Sequence, residues 1–180
     1  MLRTRVLCAF VTLLFLRPLV TFASPYSDLL KAKAAFLNLK SWQADEHFSN
    51  GKTTTVDYSA PDRWRVQARP DMADVVIGHD IYLVRNGKST KLPFGGGMIQ
   101  KMVKRARFSV SEDVKQSIRD LGMQTLDGKS VHAYSFVSHG LPVKVYIRSD
   151  SLPVEAIVKN KKRTTTIKYS RFNAPISIEP

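Results

Sequence analysis

The residues able to do acid–base, nucleophilic or metal chemistry are few and far apart. The four histidines are His47, His79, His132 and His139. None stands at ligand spacing to another histidine or carboxylate, as in H-E-x-x-H. His79 and His139 fall in turn sequences, where a solvated imidazole is the ordinary case. Asp57, Asp62, Asp80 and Glu155 are scattered among turns and outward-facing positions, and no pair is marked out as acid and base. No G-x-S-x-G elbow or P-loop is present. Gly95-Gly96-Gly97 has no Lys-Ser/Thr after it, so it reads as a hinge between a sheet and a helix. Arg63-Trp64-Arg65 mixes aromatic and basic residues as nucleic-acid grooves do. Yet Trp64 alternates in step with Val66 and Ala68, which sends it inward. These residues predict no catalytic group, no metal, no cofactor and no nucleic acid.

The only cysteine is Cys8, and it lies in a segment that reads as an address. Arg3 and Arg5 precede an apolar run from Val6 to Leu16, which Arg17 and Pro18 break. That run is shorter than the roughly 20 residues a bilayer requires. Thr21-Phe22-Ala23 then offers small residues for a signal peptidase. The expected product is an exported chain cut after Ala23, with residues 1–23 discarded and 24–180 forming one domain. It holds no cysteine, so disulfides, thiolate metal sites and a cysteine nucleophile are excluded from it. A disulfide-free exported domain fits a bacterial periplasm. Losing Arg3, Arg5 and Arg17 and no acid lowers the net charge of +13 by three, to +10. Such a charge suits phosphate-rich lipid headgroups or simple solubility.

The elements that must position any site follow from periodicity. Ser24-Pro25 reads as an N-cap with proline at N1. Leu29, Leu30, Ala34, Phe36 and Leu37 recur at helical spacing. From Trp42 the period is two. Strands are predicted over Trp42–Phe48, Thr53–Tyr58, Trp64–Ala68, Val75–Ile77 and Ile81–Val84, with turns at Asn50-Gly51, Ala60-Pro61-Asp62 and Asn86-Gly87. After the triple glycine, Met98, Ile99, Met102 and Val103 share one helical face, ringed by Lys101, Lys104, Arg105 and Arg107. A further short helix is predicted from a Ser109–Glu112 capping box to a C′ Gly122. Strands return over 122–126, Val131–Val137, Val143–Ile147, Val154–Val158 and Thr164–Phe172. The order helix, strands, two helices, strands predicts an α+β domain with an antiparallel sheet. Such a sheet, with one apolar face under helices, can fill its core or curl around a cavity for apolar ligands.

Several segments together resemble the LolA-like superfamily of periplasmic lipoprotein carriers and lipid-binding proteins. They are the opening helix, Trp42 to Phe48 with Asn50-Gly51, and Val56 through Arg65. Gly78-His79-Asp80-Ile81-Tyr82, Leu126-Asp127-Gly128, Lys144-Val145-Tyr146-Ile147 and Leu152-Pro153-Val154 follow, and Tyr169 through Ile176 closes the series. The likeness covers nearly all of residues 24–180. It implies a curled, incomplete β-barrel with helices across its mouth, holding acyl chains of lipids or lipoproteins for transfer towards the outer membrane. It implies a monomer that meets inner-membrane donor and outer-membrane acceptor proteins. On this reading Trp42, Tyr58, Trp64, Val66, Met98, Met102, Val145 and Ile147 line the cavity. Lys101, Lys104, Arg105 and Arg107 meet anionic headgroups at its rim. One position departs: Ala60 stands where lipoprotein carriers often place an arginine before the proline. The same resemblance carries an alternative, a periplasmic sensor or adaptor that binds an envelope protein.

Overall fold

The computed structural model describes residues 24–93, 107–108, 110–161 and 163–180. Helix α1 spans Pro25–Leu37. Ser24 caps it as its sequence predicts, accepting from the Ser27 N–H at 3.2 Å, and Asp28 stands in the first turn. Leu29, Ala32 and Phe36 form its buried stripe.

Eleven strands follow: β1 Ser41–Phe48, β2 Thr53–Ser59, β3 Arg63–Arg69, β4 Met72–Ile77, β5 Asp80–Arg85, β6 Lys88–Leu92, β7 Arg119–Leu126, β8 Lys129–Ser138, β9 Leu141–Ile147, β10 Pro153–Asn160 and β11 Arg163–Ser170. They make one antiparallel sheet in the order β6-β5-β4-β3-β2-β1-β11-β10-β9-β8-β7. The chain therefore builds two meanders joined where β11 pairs with β1, through Ala44 opposite Tyr169. Among the described residues β6 and β7 have no second partner strand, so the sheet is an incomplete barrel.

Hairpin chemistry sets these registers. Asn86-Gly87, Asp127-Gly128 and His139-Gly140 each hold two successive residues at positive φ. That is the mirror-image turn whose twist matches the flanking strands. The second predicted middle helix is corrected. Ser111 starts only a short 3-10 helix, Glu112–Gln116, and makes no side-chain capping bond. Gly122 does not end a helix. It sits inside β7 at φ +72°, where the register with β8 shifts between Asp120 and Met123. The Met98 and Met102 helix lies outside the described residues.

Side chains alternate between two faces. The inner face carries Trp42, Ala44, Val56, Tyr58, Trp64, Val66, Phe136, Val145, Ala156, Ile167 and Tyr169, and α1 packs into it. The outer face is partly covered by the C-terminal segment. Asn173 N–H donates to the Ser41 carbonyl, and Arg63 donates to the Ile178 carbonyl at 3.0 Å. Ile178 is 1% exposed. Beside it Ala73 and Val75, which point outward from β4, are also buried. No helix of the described residues is long and apolar enough to cross a membrane.

Candidate apolar binding cavity

The inner face is unevenly filled. Over β1–β3 it is plugged by rings. Phe36 from α1 meets Trp42 at 5.0 Å, Tyr169 at 5.2 Å and Phe108 at 6.2 Å between centroids. Trp42 in turn meets Tyr58 and Trp64, and these two lie 4.4 Å apart. Tilted and edge-on pairs of this kind are the favoured geometries. Tyr134 on β8 ties α1 down at its other end, donating from its hydroxyl to Asp28 at 3.0 Å.

Over β8–β11 a cavity of about 470 Å³ remains. Its walls are Phe136, Val143, Ala156, Val158, Ile167 and Tyr169 from four adjacent strands, with Phe108 and Arg107 alongside. It reaches Ser138, His139 and Leu141 at the β8–β9 turn. The volume falls in the usual range for small-molecule sites, about 300–1,000 Å³. The described lining residues include no carboxylate and are mostly aliphatic or aromatic. Burial, and then the nearby Glu46 carboxylate, pushes the Tyr169 hydroxyl well above its ordinary range. It stays protonated, so the wall carries no phenolate. Walls of this kind can hold a hydrocarbon chain.

Trp42, Tyr58, Trp64, Val66, Val145 and Ile147 all stand in the inner-face core, as their alternation predicts. None of them is among the residues that touch the cavity volume. They make the packed ground next to it. Arg107 does line the cavity, and its guanidinium also lies 5.2 Å over the Trp64 ring. Met98, Met102, Lys101, Lys104 and Arg105 lie outside the described residues. Sequence reasoning missed Phe108, Phe136, Val158, Ile167 and Tyr169. The alternation of β8, β10 and β11 already put four of these on the inner face. It also missed Glu46, which is 8% exposed on that face between Thr54 and Ile167.

A second concavity holds polar groups. His132 pairs with Asp120 at 2.6 Å and stacks on Tyr134 at 4.6 Å. No serine or threonine hydroxyl is hydrogen-bonded to His132 among the described residues, so this pair braces β7 against β8. No group of three histidine, cysteine or acidic side chains could hold a metal ion among the described residues.

The sequence matches no family model and no curated protein. Its shape does have relatives. The Mycobacterium tuberculosis lipoprotein LppX superposes with a TM-score of 0.62 at 14% identity, over 87% of this chain and 100% of LppX. LprF from Mycobacterium bovis superposes with a TM-score of 0.54 at 14% identity, over 85% of this chain and 94% of LprF. The fold is LolA-like. In this fold the inner face of β8–β11 is the part left unfilled, and the half nearest β1–β3 is closed by α1 and its ring cluster.

Proposed function

We propose that the protein is an exported, non-enzymatic carrier that holds an acyl chain of a lipid or lipid-modified protein in the cavity over β8–β11. The observation that carries this reading is the cavity itself: about 470 Å³ of apolar space bounded by a buried sheet face. A well-packed core of this size leaves few voids larger than a water molecule. The LolA-like fold supports it as a scaffold. In this account Trp42, Tyr58, Trp64, Val66, Val145 and Ile147 are the rigid bed of the site, and Arg107 faces the headgroup at its rim. From the sequence alone, the proposal extends to Met98 and Met102 as further acyl contacts and to Lys101, Lys104 and Arg105 as further headgroup contacts, all of which lie outside the described residues. The leader ends at Ala23, which frees the domain to diffuse in the periplasm. Directional transfer then comes from differential affinity at an inner-membrane donor and an outer-membrane acceptor.

The test is acyl-probe binding to wild type and to Val158→Trp. Val158 is a half-buried wall residue, so the larger side chain fills space without removing a core contact. The expected result is displacement of a fluorescent fatty-acid probe by long-chain acids in wild type, and at least a tenfold weaker probe in the variant at an unchanged melting temperature. A wild-type protein that takes up no acyl probe and copurifies with no lipid would overturn the proposal. N-terminal sequencing of the envelope protein checks the cut after Ala23.

A further inference from the structure

The turns at the two ends of the sheet differ in how their charges are paired. The registers place the β1–β2, β3–β4, β5–β6 and β10–β11 turns side by side at one end. Phe48 stands opposite Thr165, and Ser49 N–H donates to the Thr164 carbonyl. These turns and their flanks present Lys52, Arg69, Arg85, Lys88, Lys159, Lys161 and Arg163, all exposed. None of them is ion-paired among the described residues, and Arg163 lies over the Phe48 ring. Asp71, Glu179 and the C-terminal Pro180 gather at the β3–β4 and β5–β6 turns, and Asp113 accepts from the His139 N–H at the β8–β9 turn, so the uncompensated cations concentrate at Lys52, Lys159, Lys161 and Arg163. At the other end, Asp62, Asp80, Asp127 and Asp150 stand in the turns. Asp80, Asp127 and Asp150 pair there with Lys91, Lys168 and Arg148, and Lys129 and Arg171 are exposed beside them, so acids and bases are interspersed at that end.

The basic end is also the end that the cavity reaches. Val158 of the wall leads directly into Lys159, and Leu141 lies at the neighbouring β8–β9 turn. Val137 and Leu141 are 42% and 37% exposed there.

We propose that this arc of hairpin tips docks the protein on an anionic phospholipid surface, with the cavity end facing the bilayer. Unpaired lysines and arginines on short rigid turns give a surface potential that acts within about 8 Å at physiological salt. An anionic bilayer supplies the complementary charge in a plane that several tips can meet together. Exposed Val137 and Leu141 favour a lipid surface over nucleic acid, which rewards exposed aromatic stacking instead. Docking on empty vesicles needs no acyl chain in the cavity, so this inference and the carrier reading fail separately.

The test is cosedimentation of the purified protein with phosphatidylcholine vesicles, with and without phosphatidylglycerol. Binding is expected only with the anionic lipid and is lost at high salt. The variant Lys159→Glu/Lys161→Glu/Arg163→Glu should weaken it by well over a hundredfold, because removing three cations alone costs about fivefold each. Its neutral counterpart, with glutamine at all three positions, should fall between. Lys129→Glu/Arg171→Glu at the opposite end should bind like wild type. Equal binding to neutral vesicles would overturn the proposal. So would an unchanged affinity in the triple reversal, or an equal loss in the opposite-end control. Tighter binding to an oligonucleotide than to anionic vesicles through the same three residues would replace the bilayer with nucleic acid. Thermal melts matched to wild type establish that the exposed substitutions leave the fold intact.

Discussion

Phe36 is the partition between the packed half of the inner face and its cavity, and truncating it to alanine should show both roles at once. Its ring is 1% exposed and touches Trp42 on one side, and Tyr169 and Phe108, two cavity walls, on the other. Removing a buried phenyl ring costs about 3–5 kcal/mol from lost transfer energy and the hole left behind. For a domain of this size that is about 10 °C in melting temperature. The vacated space adjoins the cavity, so it also lengthens the room for a ligand. If roughly three further methylenes enter, at about 0.8 kcal/mol each, long-chain acids gain about 2.4 kcal/mol relative to short ones, or about fiftyfold. Urea titrations with and without acids of increasing chain length read both effects, because a ligand bound only by the native state raises the midpoint. Phe36→Ala should be much less stable alone and should recover most with the longest acids. A variant that loses stability but keeps the wild-type chain-length preference would refute Phe36 as the partition. One that loses less than about 1 kcal/mol would refute its burial against three rings.

Two further outcomes follow from single residues. Glu155 is 7% exposed on the outer face with Lys168 at 3.8 Å, and burial, outweighing Lys168, raises its carboxyl above the ordinary range. Ionising it in the folded state is therefore costly, so its contribution falls as pH rises from its ordinary value through the raised one. Glu155→Gln should stabilise the protein at neutral pH and give no such gain at acid pH, where Glu155 is protonated folded and unfolded; denaturation midpoints at the two pH values check this. Gly122 stands at φ +72° with open space where a side chain would lie. Gly122→Ala should then cost only the left-handed backbone, about 1–2 kcal/mol, measured by urea denaturation with acyl binding unchanged.

Much of the sheet was legible because the signals are local. X-Gly pairs fixed the hairpins at Asn86, Asp127 and His139, and two-residue alternation put Trp42, Trp64 and Val145 on one face. Ser24-Pro25 marked the helix start for the same reason. The miss at Gly122 is instructive. A glycine after a capping-box sequence and a glycine in a strand bulge both need positive φ, and only pairing with β8 distinguishes them. The C-terminal segment Asn173–Pro180 has no periodicity to read. Its place depends on Arg63 and Ser41, more than a hundred residues earlier. Alternation also cannot say which part of an apolar face is covered. Val143 and Val145 share a face, yet Val145 is 0% exposed in the core, while Val143 borders the cavity. The difference is set by where α1 crosses, a tertiary fact.

Occupancy of the cavity over β8–β11 distinguishes a carrier from a domain with a merely incomplete core. Native mass spectrometry of the protein purified from its own envelope reads that occupancy directly. The expected spectrum shows protein carrying one lipid or acylated species, and Val158→Trp shows a much smaller bound fraction. A spectrum of bare protein in wild type, unchanged after incubation with long-chain fatty acids, would contradict it.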